Sequence, residues 1–74
     1  MIRKSDFLKS FGSRLRDARQ AAGIYQCEIA EHCEVSQELI SRIENGQIDV
    51  SIRRAAEIAA RCGTDLTMLL KGLI

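Results

Sequence analysis

Apolar residues recur along this chain with the period of a helix. Leu8, Phe11, Leu15, Ala18 and Ala22 follow one another at spacings of 3, 4, 3 and 4, one stripe of an amphipathic helix. This helix is predicted to be capped by Ser5 or Asp6, after a mobile basic end over residues 1–5, and to reach about Ala22. Gly23 then supplies a left-handed end and Ile24 returns to the core. Gly12 sits inside the helix at a cost of about 1 kcal/mol against alanine, which predicts the close approach of another helix. Ile29, Ala30 and Cys33 predict a second helix over about Gln26–Cys33. Ile40 and Ile43 predict a third over Gln37–Glu44, with Val35 in the corner, Ser36 as cap and Asn45-Gly46 as stop. After a loop anchored by Ile48, Asp49 or Ser51 caps a fourth helix with the stripe Ile52, Ala55, Ala59 and Cys62, which ends at Gly63. Asp65 caps a last helix, at about residues 65–71, that carries Leu66, Met68, Leu69 and Leu70 and leads to Leu73 and Ile74.

No stretch alternates with period two and there is no β-branched run, so no strand is expected. The reading is an all-α chain of five short helices forming one domain over residues 1–74. A chain of this length buries only roughly 60% of its unfolded surface, so its stability is marginal. No segment approaches the ~18 apolar residues of a membrane span, and the N-terminus lacks the long apolar stretch of a secretory leader. A cytoplasmic protein with no membrane role is expected. Cys27, Cys33 and Cys62 have no CxxC spacing, and His32 is the single histidine. His32 and Cys33, adjacent on a helix, point about 100° apart and do not easily share a metal. Cys33 and Cys62 read as small core residues in a reducing compartment, and His32 as exposed. There is no Ser–His–acid set, no glycine-rich phosphate loop and no paired ligand spacing. No enzyme, no cofactor and no metal site is expected.

Two short helices joined by three or four residues, here at about 26–45, form a helix-turn-helix. In its DNA-binding versions the second helix lies in the major groove with its first residues on base edges. Gln37 has the donor and acceptor to pair with adenine, and Arg42 can fork onto guanine or pair with Glu38 on its own helix. Glu38 can accept from a cytosine amino group or only hold Arg42.

The charge distribution complicates this picture. The net charge of +1 divides into +4 over residues 1–26, −5 over residues 27–50 and +2 over residues 51–74. Double-stranded DNA requires basic residues where phosphate is met. Arg14, Arg16, Arg53 and Arg54 are the candidates, with Arg14 and Arg53 placed on phosphate. Arg14 and Arg16 are about 200° apart on one helix, so not all can face DNA. The acidic middle block supports an alternative, an antitoxin-like or adaptor module that holds a protein partner. Arg19, on the edge of the apolar stripe, requires a carboxylate partner if it is buried. Met68, Leu69, Leu70, Leu73 and Ile74 exceed what one short helix buries against its own domain, and they are the candidate interface with a partner.

The runs FGSRLRDAR, GIYQCEIAEHCEVSQELISRIENGQIDVSI and IAARCGTDLTMLL resemble the lambda-repressor/Cro-like helix-turn-helix family, over roughly Phe11 to Leu70. The closest matches are Gln26 with Ile29-Ala30, Val35-Ser36, and Ile40 through Gly46. The resemblance implies five helices, binding of double-stranded DNA as a homodimer, and regulation of transcription. It implies base contacts by Gln37, Glu38 and Arg42, phosphate contact by Gln26, backbone contact by Asn45, and a buried salt bridge between Arg19 and Glu44. Tyr25 stands where the family has a serine or threonine cap, Val50 where it has proline, and Glu34 where the turn is glycine. A left-handed conformation costs a non-glycine residue roughly 1–2 kcal/mol, so a turn of different shape is expected at Glu34.

Overall fold

In a computed structural model that describes residues 2–74, the described residues form five helices and no strand. They are α1 (Lys4–Ala21), α2 (Gln26–His32), α3 (Gln37–Glu44), α4 (Ile52–Arg61) and α5 (Leu66–Leu70). The fold is all-α. Phe11 and Leu15 of α1, Ile29 and Ala30 of α2, Ile40 and Ile43 of α3, Ala55, Ile58 and Ala59 of α4, Cys62 just after α4, and Leu69 of α5 make one core. Val35 packs into it from the turn, as do Ile24 and Ile48 from their loops.

Helix starts follow short-range chemistry. The hydroxyls of Ser36 and Ser51 accept from the backbone N–H of Leu39 and Arg54, each at 3.1 Å, and Asp65 Oδ1 accepts from Met68 N–H at 2.9 Å. Tyr25 gives α2 no side-chain cap, but its own N–H donates to Glu28 Oε1 at 3.1 Å, so one half of a capping box remains. At α1 the expected cap does not form. The helix starts at Lys4, ahead of Ser5 and Asp6, with Arg3 at the cap position and no side-chain bond. Residues 4 and 5 are therefore helical rather than a loose end; Met1 lies outside the described residues.

The ends of α1, α2, α3 and α4 share one closure. After α2, the N–H of Val35 bonds to Ala30 O at 2.9 Å and that of Glu34 to Glu31 O at 3.2 Å, the two bonds of a Schellman motif. Glu34 takes the left-handed position itself, at φ 57°. The turn therefore keeps the shape that glycine would give it, at a cost of roughly 1–2 kcal/mol.

The stripe of α4 differs from the expected one. The buried positions are Ala55, Ile58, Ala59 and Cys62, while Ile52 is 79% exposed. Helical side chains lean toward the N-terminus, so Ile52 at the first position projects beyond the packed part of its own helix. Ala22, at the far end of the expected α1 stripe, is the cap residue after α1 and is exposed.

Candidate nucleic-acid interface

The position of α3 is set by three contacts. The first is the Ser36 cap at its start. The second is a backbone approach by α1. A Cβ on Gly12 would lie 2.4 Å from Ile43 O and 2.5 Å from Glu44 O, so the last turn of α3 sits against α1 with no room for a side chain. The third is a buried polar cluster. Arg19 Nε donates to Glu44 Oε2 at 2.6 Å and Arg19 Nη2 to Glu44 Oε1 at 3.1 Å, a two-pronged pair between α1 and α3. Arg19 Nη1 donates to Ile24 O at 2.9 Å, and Gln26 Nε2 donates to Glu44 Oε1 at 3.0 Å. Glu44 is only 2% exposed, and no buried side-chain nitrogen or oxygen lacks a partner among the described residues. A buried charge pair is tolerable only when its hydrogen bonds are complete, as they are here.

The opposite face of α3 is free. Gln37, Glu38 and Arg42 are all exposed, and Arg42 Nη2 lies 2.6 Å from Glu38 Oε1, four residues earlier on the same helix. Such an exposed pair contributes only about 0.3–0.5 kcal/mol. It orients Arg42 without committing it, so a stronger acceptor can take the guanidinium over. Asn45 is also exposed, and its Nδ2 donates to Ser41 O at 3.0 Å at the end of α3.

Several residues assigned by sequence have neighbours within the domain itself. Gln26 is half-buried and one of its amide hydrogens is committed to Glu44. Arg14 does not face outward toward a phosphate. Its Nη1 donates to Leu69 O at 3.1 Å and to Lys71 O, on the side of α1 away from α3. Arg53 is exposed but paired with Glu57, its Nη1 lying 2.5 Å from Glu57 Oε1. Leu69 is 3% exposed and belongs to the domain's own core, so it is not available to a partner; Leu70 and Leu73 are half-buried against the same core. Of the five residues expected at an interface, Met68 (60% exposed) and Ile74 (89%) face outward. Sequence reading missed Ile52, which joins Leu66 and Leu70 along a shallow apolar groove closed on the α1 side by Phe7 and Leu8. An isoleucine at the first position of a helix was the available signal.

The thiols do not suggest chemistry. Burial, then the nearby Glu57 carboxylate, pushes the Cys33 thiol up, and burial, then Glu44, does the same for Cys62. Both are held in the protonated, unreactive form. Cys27 and His32 are exposed, and among the described residues no group of three His, Cys, Asp or Glu side chains is placed to hold a metal ion.

A family model described as a helix-turn-helix domain matches residues 10–70. The chain belongs to that family, of the lambda-repressor-like kind. A search for curated relatives found no match. The helix-turn-helix domain suggests DNA binding in a regulatory setting, and such domains are typically non-enzymatic. No helix among the described residues is long and apolar enough to cross a membrane.

Proposed function

We propose that this domain is a sequence-specific regulator of transcription that binds double-stranded DNA as a homodimer on an inverted-repeat operator, in the manner of a small repressor or controller protein. One observation carries the reading. Gln37, Glu38 and Arg42 stand exposed on one face of α3, while its other face is held by backbone packing and the Arg19–Glu44–Gln26 cluster. A rigid helix with a polar outer face is what major-groove reading needs. Arg42 forks onto guanine, Glu38 accepts from a cytosine amino group, and Gln37 serves adenine. Asn45, Arg53 and the second amide hydrogen of Gln26 hold the backbone.

The test begins with an operator selected from random duplex DNA. Arg42→Ala is expected to weaken binding to it by about 1–3 kcal/mol and to relax the choice at one position, with little change on non-specific DNA. Arg53→Ala is expected to weaken all sequences alike and to lower the salt slope by about one. An Arg42→Ala variant that ranks operator variants as the wild type does would remove α3 from the reading role.

The dimer clause rests on Met68, Ile74 and Ile52, apolar and exposed around the α5 surface. Two protomers related by a two-fold axis would place their α3 helices about 34 Å apart, one turn of DNA. Met68→Asp is expected to give a folded monomer, whereas Leu69→Asp puts a charge in the core and is expected to unfold the chain. Sedimentation and circular dichroism of the two variants check this. A wild type that is monomeric at high micromolar concentration rejects the dimer.

A second reading is favoured by the exposed Glu28, Glu31, Glu34 and Glu38, an acidic surface suited to a basic protein partner in an antitoxin-like or adaptor role. Salt-dependent retention on duplex DNA supports the first reading. No retention even at low salt, together with a basic protein that co-purifies, supports the second.

A further inference from the structure

We infer that Arg14 is a positioning residue that sets the dimer face relative to the DNA-reading helix, an inference that rests on the homodimer reading above. The two exposed apolar anchors of that face, Met68 and Ile74, lie on α5 and the turn after it. α5 has five residues, too few to hold its own direction. Its start is held by the Asp65 cap and its middle by the buried Leu69. Its end is held by Arg14, which donates from one nitrogen to Leu69 O and Lys71 O, in the last turn, where helix carbonyls lack intrahelical partners. The chain then turns at Gly72, with φ 82° and its Cα hydrogens toward the guanidinium, and Leu73 N–H closes onto Leu70 O at 2.8 Å.

The other end of the connection is two residues away. Gly12 and Arg14 point about 200° apart on α1, so they meet different neighbours on nearly opposite faces. Gly12 lies against the last carbonyls of α3 and Arg14 against the last carbonyls of α5. Within a single turn, α1 thus spans from the reading helix to the dimer face. A tilt of α5 in one protomer is repeated in the other by the two-fold axis, and it changes the separation of the two α3 helices. One base pair of spacer corresponds to about 3.4 Å, so a small tilt is enough to alter which half-site spacing is accepted.

The full chain and its Arg14→Ala and Arg14→Lys variants are compared by sedimentation and by binding to three kinds of duplex. These are the selected operator, the same operator with one base pair added to or removed from its spacer, and an isolated half-site. Arg14→Ala is expected to keep half-site affinity and salt slope while its preference for the correct spacing falls by about tenfold, the equivalent of one lost charge-assisted hydrogen bond. Arg14→Lys, able to reach one carbonyl at a time, is expected to fall between, and it carries the same comparison if the alanine variant does not fold. A dimeric variant that keeps the spacing preference of the wild type overturns this inference alone. So does a loss of half-site affinity with a salt slope lower by about one, the mark of a phosphate contact. A monomeric wild type overturns the homodimer reading and this inference with it.

Discussion

Glu44→Ala is expected to lower the stability of the domain by about 3 kcal/mol, the low end for breaking a buried ion pair. The carboxylate is 2% exposed and accepts two bonds from Arg19 and one from Gln26. Alanine removes all three acceptor contacts and leaves the Arg19 guanidinium buried, with Ile24 O as its remaining bond. The penalty is therefore the stranded charge rather than the net value of the pair. For a domain of this size each 1 kcal/mol moves the thermal midpoint by about 4–8 °C, so a fall of more than 10 °C is expected in a calorimetric or circular dichroism melt. A midpoint within about a degree of wild type would show that water reaches Arg19 and would remove the argument. Replacing both partners, as Arg19→Met with Glu44→Leu, is expected to recover much of the loss because no charge is left unpaired. Gln26 then loses an acceptor, but it is half-exposed and water can serve it.

Gly12→Ala is expected to destabilise the protein by about 2 kcal/mol, against the sign of helix propensity. In an open helix alanine would gain about 1 kcal/mol over glycine. Here the new methyl carbon would lie 2.4 Å from Ile43 O, 2.5 Å from Glu44 O and 2.8 Å from the Glu44 carbonyl carbon. These are backbone atoms, so no side chain can swing aside. α1 and α3 have to part, which falls within the roughly 1–3 kcal/mol typical of overpacking. The same movement would stretch the 2.6 Å bond between Arg19 and Glu44, which joins the same two helices about two turns further along α1. Denaturant unfolding decides the sign. A variant more stable by about 1 kcal/mol would mean that the helices separate freely and that propensity governs the site.

Most of the fold was legible because its signals are short in range. Ser36, Ser51 and Asp65 each cap a backbone N–H three residues on, and any chain with that local geometry can make the bond. The limits of α3 and the end of α4 follow from residues beside them. One local signal failed: α1 passes over Ser5 and Asp6 and starts at Lys4, with no side-chain cap at Arg3. Glu34 shows the opposite outcome. Its backbone is unfavourable locally, yet the bonds from Val35 to Ala30 and from Glu34 to Glu31 close the turn and Val35 packs into the core. The candidate site divides in the same way. Glu38 and Arg42 share a face by helical spacing, with Gln37 beside Glu38 at the helix start, and the ion pair of Arg42 was visible in its i, i+4 relation to Glu38.

By itself, then, the sequence determined the all-α class, the order and approximate limits of the helices, and which residues of α3 can stand on its outer face. Each depends on relations spanning a few residues, where spacing dictates direction. Only the tertiary structure decided what the longer relations would be. Arg14 meets Lys71 across 57 residues of chain, whereas the pair of Arg19 with Glu44 across 25 residues was implied by the family resemblance and not by any local spacing. No local pattern says that the first arginine ends on helix carbonyls rather than on phosphate, or that Leu69 is enclosed while Met68 is left outside. Arg14, Gly12, Ile52 and Leu69 were each assigned by the packing of α1, α3, α4 and α5 against one another, because burial and pairing belong to the space between helices and not to any one of them.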